Sequence, residues 1–103
     1  MNLNKYLPLT ETTFYIMLSL IEPAHGYAIM QNVEQLSLNK VKVAAGTLYG
    51  AVENLTKQKL IRSVETEDKR RKVYVLTSEG KEVLQLEIER MRHLINISQD
   101  LVK

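Results

Sequence analysis

The chain has 103 residues, 45% of them hydrophobic and 25% charged, with a formal net charge of +2 and no cysteine. This composition suits one soluble domain around one core, excludes two independent domains, and excludes disulfides, thiolate zinc sites and cysteine nucleophiles. The core of so short a chain is modest, so a second subunit would add useful burial.

The opening residues, MNLNKYLPLTE, lack the apolar centre of a signal peptide, and no later apolar run approaches the roughly 20 residues of a membrane span. A cytoplasmic protein with no membrane partner is expected. Thr10 is placed to cap a first helix, with Glu11 at its positive end and Phe14, Met17, Leu18 and Ile21 at helical spacing. Pro23 and Gly26 punctuate the chain. A second, short helix runs from about Gly26 to Leu36, burying Ile29, Met30 and Val33 and exposing Gln31, Asn32 and Gln35. After a loop from Asn39 to Lys42, a third helix extends from Ala44 to Ile61, with Leu48, Val52 and Leu55 on its inner stripe and Leu60 closing its end.

Ile61 to Thr66 and VYVLT read as the two strands of a β-hairpin, since β-branched and aromatic residues favour extended structure. The charged run Glu67 to Lys72 joins them without an Asn-Gly or Asp-Gly pair, which predicts a longer loop around Asp68 to Arg70. Val41 to Val43 would supply a third short strand. Thr77 or Ser78 caps a final helix, with Glu79 in its first turn and Gly80 costing about 1 kcal/mol relative to alanine. That helix runs toward the C-terminus. Its residues Leu84, Ile88, Met91, Ile95, Ser98 and Val102 follow a heptad seam with one polar interruption, widened by Leu94, Ile97 and Leu101.

The expected fold is therefore mainly α with a small β-hairpin: a winged helix-turn-helix over residues 1–78, followed by a long C-terminal dimerisation helix over 79–103. The charge pattern points the same way. From Lys40 to Lys72 the chain carries nine basic and four acidic residues, against five and eight elsewhere. One end of the molecule is then electropositive, which suits a phosphate backbone or, on charge alone, an anionic membrane surface. The third helix turns Thr47, Gly50, Asn54 and Lys57 outward, with Tyr49 at the flank, and its small residues Ala44, Ala45 and Gly46 allow close approach to a groove. Lys69, Arg70, Arg71 and Lys72 place four adjacent cations on the hairpin tip, within reach of phosphates. Arg70 and Arg71 are the stronger candidates of the four.

No chemistry of catalysis is legible. His25 beside Gly26 and Tyr27 reads as a capping or packing residue, because His93 is remote and no cysteine or carboxylate cluster completes a metal site. The pairs Glu65 with Glu67 and Glu87 with Glu89 fall in stretches read as exposed, so no catalytic pair stands out. No nucleophile elbow, phosphate-binding glycine loop or dinucleotide fingerprint occurs, so no enzyme, metal or cofactor is expected. The greasy face of the last helix predicts a homodimer through Leu84, Ile88, Met91, Leu94, Ile95 and Val102, unless the helix folds back on the first helix of its own chain.

Three blocks carry a resemblance: LTETTFYIMLSLIEPAHGYAI, AAGTLYGAVENLTKQKLI and RRKVYVLTSEG. In order and spacing they resemble the signature blocks of PadR-like transcriptional regulators, with most of the specificity in His25-Gly26-Tyr27, Gly46-Thr47-Leu48-Tyr49, and Leu76-Thr77 followed by Gly80. The resemblance implies a dimeric repressor on an inverted-repeat operator in double-stranded DNA. Its DNA contacts would fall on Tyr27, on Gly46, Thr47 and Tyr49 in the reading helix, and on Arg70 and Arg71. Electrostatics adds Lys42 and Lys57. It also admits a small-molecule effector of unspecified chemistry. Ala45 stands where members often carry serine or proline, and Gly50 where many carry proline. Without tryptophan, the stacking of planar ligands between tryptophans seen in some relatives is not expected. The alternative function is a winged helix that binds proteins without reading DNA.

Overall fold

The computed structural model describes residues 2–68 and 70–102. Lys69, one of the four predicted cations of the hairpin tip, lies outside the described residues. A 3-10 turn at Leu3–Tyr6 leads into helix α1, Glu11–Leu18, which the Thr10 hydroxyl caps by accepting the Thr13 amide at 3.1 Å. The buried stripe here is Ile16, Met17 and Leu20, with Phe14 and Leu18 half-buried, and the expected Ile21 is 51% exposed. The helix stops at Leu18, so its periodicity no longer governs Ile21, and the turn that follows drives Leu20 inward.

Strand β1, Ala24–His25, precedes helix α2, Gly26–Leu36. The His25 side chain caps α2 with a long hydrogen bond, Nδ1 accepting the Ala28 amide at 3.4 Å. Two consecutive residues with positive φ, Leu38 at 56° and Asn39 at 65°, then turn the chain toward helix α3, Ala45–Lys57. Inside the turn, Ser37 Oγ accepts the Val41 amide at 2.9 Å and Val43 is buried. That segment is tied down by its side chains and forms no strand, contrary to expectation.

Helix α3 also ends earlier than the sequence predicts. Lys59 takes φ of 62°, the Leu60 amide donates to the Leu55 carbonyl, and the Lys59 amide donates to the Thr56 carbonyl. This left-handed closure usually employs glycine. It frees Ile61 to begin strand β2, Ile61–Val64, which pairs antiparallel with β3, Val73–Leu76. The other edge of β3 takes β1, with Ala24 opposite Tyr74, giving the sheet order β1-β3-β2. The third strand thus comes from the approach to α2.

Thr77 caps helix α4, Ser78–Leu101, its hydroxyl accepting the Gly80 amide at 3.0 Å and donating to the Lys59 carbonyl at 2.8 Å. The Thr77 amide donates to the Leu60 carbonyl, so the start of α4 is stitched to the end of α3. A β-carbon on Gly80 would collide with the Leu60 carbonyl oxygen and lie 2.7 Å from Leu76 Cδ1. Glycine at this position therefore permits the packing, which reverses the small cost expected from helix propensity.

Two further expectations for α4 are corrected. Leu84 is 5% exposed and packs in the core of its own chain with Val83, so it is not available to a partner. Glu87, read as exposed, is 1% exposed: Oε2 accepts the Leu9 amide at 2.6 Å and Oε1 pairs with Arg90 Nε. Burial is tolerable because both carboxylate oxygens are bonded. The Arg90 hydrogen bond, with help from the Leu9 amide, holds this carboxyl below its ordinary pKa against the opposing effect of burial. Past this point α4 leaves the body, and every residue from Arg92 to Val102 is exposed. The molecule measures 53 × 35 × 20 Å. Among the described residues no helix is long and apolar enough to cross a membrane.

Candidate nucleic-acid interface

Leu48, Val52 and Leu55 bind α3 to the core, which leaves the opposite side of the helix outward over its whole length. Gly46, Thr47 and Gly50 lie on that side, all exposed. Ala44 has no side chain with which to cap the helix, so no capping group occupies the amides of the first turn. Those amides carry the positive end of the helix dipole. Lys42, exposed, stands in the loop just ahead.

Asp68 shapes the hairpin tip, hereafter the wing. Its Oδ1 accepts the Arg70 amide at 3.0 Å, while its carbonyl accepts the Arg71 amide at 3.1 Å and the Thr66 hydroxyl at 2.9 Å. This is the local side-chain bonding by which aspartate favours turns. Arg70 Nε lies 3.5 Å from Asp68 Oδ1, but the Arg70 side chain is 95% exposed, so the pair is weak and the cation stays open to solvent.

Three elements converge beside α3. A cleft of about 610 Å³ is lined by Gly26 and Tyr27 from the start of α2, Tyr49 from α3, Tyr74 from β3, and Arg70, Arg71 and Lys72 from the wing. Tyr27 is 65% exposed and Tyr49 56%. Tyr49 is also a wall of a second cleft, about 790 Å³, between α3 and the hairpin. That cleft is lined by Val52, Val64 and Val73 and by mixed charges, Lys57, Arg71 and Lys72 set against Glu53, Glu65 and Asp68.

Of the predicted site residues, the structure brings together Tyr27, Tyr49, Arg70 and Arg71 in the first cleft, and Lys57 joins Tyr49 and Arg71 in the second. Lys42, Gly46 and Thr47 line neither cleft, and nor does Asn54. It lines a shallow groove of about 180 Å³ with Tyr6, Pro8 and Thr10, on the flank of α3 facing the N-terminal segment. Lys59 and Arg62, counted in the basic segment, line neither cleft.

Sequence reasoning missed Glu53, Gly26 and Tyr74. Glu53 could have been found, because Glu-x-x-x-Lys on an exposed helix face signals an ion pair. Its Oε1 lies 3.3 Å from Lys57 Nζ with both side chains exposed, so part of the Lys57 charge is already balanced. Tyr74 becomes a site residue only through the pairing of β3 with β1, which the short Ala24–His25 strand conceals.

Away from the clefts, the projecting half of α4 carries exposed apolar side chains among its polar ones: Ile88 is 38% exposed, Leu94 43%, Ile95 54% and Val102 82%. Met91 is half-buried.

Residues 16–86 match the Transcriptional regulator PadR-like family. The fold is similar to that of a transcriptional regulator from Clostridium thermocellum, with 26% identity, a TM-score of 0.74 and 89% of each chain covered. It is also similar to a PadR family transcriptional regulator from Eggerthella lenta, with 28% identity, a TM-score of 0.73, and coverage of 88% of this chain and 80% of that one. A 37.1 kDa protein in a transposon of Streptomyces fradiae is 39% identical over 72 residues, which is 70% of this chain but spans only 20% of that protein's length.

Proposed function

The chain belongs to the PadR-like family of transcriptional regulators, which are DNA-binding proteins and not enzymes, and on that premise we propose that it is a homodimeric repressor of an inverted-repeat operator. Helix α3 enters the major groove with Gly46 and Thr47 leading, and Asn54, seven residues after Thr47, continues that face of the helix. Tyr27, Lys42, Tyr49, Arg70 and Arg71 meet the flanking phosphates, which supply affinity, while Thr47 and Asn54 on α3 supply sequence choice. Lys57, partnered by Glu53, contributes less than its charge alone suggests. Two copies pair through Ile88, Met91, Leu94, Ile95 and Val102, so that two reading helices address two half-sites. Residues 1–78, with the first turns of α4 packed into their core, form the reader; the rest of α4 forms the dimerisation element. The site of action is cytoplasmic, and a small-molecule effector acts by changing operator affinity.

The observation that carries this reading is the convergence of Tyr27, Tyr49, Arg70 and Arg71, from three separate elements, on one open cleft beside α3. Titration of the chain with labelled random duplex DNA over a range of salt concentrations tests it. Strong binding at low salt that falls steeply as salt rises is expected, and Arg71→Ala should reduce the logarithmic salt slope by about one unit on every sequence. Negligible affinity at low salt would instead favour a protein-binding winged helix.

A further inference from the structure

Gly26 is the first residue of α2 and lines the cleft described above. A β-carbon built on it would lie 2.8 Å from Tyr49 Oη, 3.2 Å from Cζ and 3.3 Å from Cε1. The phenol of Tyr49 therefore rests on bare backbone, closer than any side chain at residue 26 would allow. The other glycines differ: Gly46 and Gly50 have open space at the corresponding point, and Gly80 faces backbone. Nor does the backbone demand glycine here, because no glycine among the described residues has a positive φ. The one thing that the missing side chain of Gly26 accommodates is Tyr49, the exposed tyrosine that lines both clefts.

We propose that Gly26 is a positioning residue for DNA recognition: it seats Tyr49 across the start of α2, so that the phenol hydroxyl meets a backbone phosphate held by the wing cations. This rests on the reading of the cleft as a DNA contact. A phosphate is the group that fits, because the same cleft presents Arg70, Arg71 and Lys72, and a hydroxyl donating to an anion is a charge-assisted bond. An added methyl group at residue 26 meets only the far end of a flexible side chain. Alanine is also compatible with the backbone there and restricts the unfolded chain more than glycine does. Gly26→Ala thus leaves the fold intact and moves Tyr49.

The test measures the affinity of the full chain for random duplex DNA, together with its melting temperature, for Gly26→Ala, Tyr49→Phe and the double variant. Each single change is expected to weaken binding roughly tenfold, the worth of one hydrogen bond to a charged group. The double variant is expected to bind no worse than either single one, and all three to melt with the unaltered chain. Losses that multiply in the double variant, wild-type binding by Gly26→Ala, or a marked fall in its melting temperature would each overturn the proposal. So would a loss confined to particular sequences, which belongs to a base contact rather than a phosphate. If the unaltered chain binds no duplex at all, the DNA reading itself fails and the proposal falls with it, an outcome distinct from the others.

Discussion

Gly80 and Glu87 lie two turns apart on the buried side of α4, and residue type alone conceals the role of each. A glycine in a helix reads as a defect of about 1 kcal/mol. At Gly80 the opposing effect is larger, because a β-carbon would press on the carbonyl of Leu60, which is already held by the Thr77 amide and cannot retreat. Gly80→Ala is therefore expected to destabilise the chain by about 3 kcal/mol, the upper range for overpacking a tight site. Urea denaturation measures it, and an unchanged midpoint would mean that the α3–α4 junction has slack. A buried carboxylate was equally invisible in the sequence, since the amide that satisfies Glu87 is on Leu9, 78 residues away. The exposure of Tyr49 and of the wing arginines is legible by contrast. It depends on local spacing, which the sequence carries directly.

Elements were readable where their signals are local and failed where tertiary pairing decides. Helix α2 and the hairpin follow from periodicity and β-propensity, and their observed bounds lie close to expectation. Helix α3 was expected to run on to Ile61 because its stop signal is a lysine in a left-handed conformation instead of a glycine. Strand β1 spans two residues and exists only because β3 offers a free edge, so no pattern within Ala24–His25 announces it. The N-terminal segment is fastened to α4 through Glu87, which gives this joint a pH dependence. Because the folded-state pKa of Glu87 is lowered, its stabilisation is complete above the ordinary carboxylate range and is lost as pH falls through the lowered value. The difference in melting temperature between the unaltered chain and Glu87→Gln should accordingly be largest near about pH 7 and shrink toward about pH 3. A difference that stays constant over that range would show that the carboxylate charge is not what fastens the segment.

At the scale of the molecule, the proposed reader and the proposed pairing surface belong to different parts of one elongated body, the first to α3 and the wing, the second to the projecting half of α4. The heptad pattern of α4 was read as a single seam, but the structure divides it: Leu84 belongs to the core, and the apolar surface begins at Ile88, where the body stops covering the helix. A helix about 36 Å long that leaves its core halfway, with Leu94, Ile95 and Leu101 open to water, is the observation on which the proposed pairing rests. The segregation of charge was legible in outline only. Lys57, Arg70, Arg71 and Lys72 do gather around the two clefts, whereas Lys40, Lys42, Lys59 and Arg62 do not, and Glu53, Glu65 and Asp68 temper the field beside α3. Amide hydrogen exchange of the full chain, with and without duplex DNA, tests the whole arrangement most directly. Slow exchange across Leu94 to Leu101 is expected in the free chain, because pairing protects a helix end that would otherwise fray. Adding duplex should then slow exchange further along Ala45–Lys57 and at Arg70 to Lys72. Fast exchange throughout Leu94 to Leu101, together with no change in α3 or the wing when duplex is present, would contradict the account.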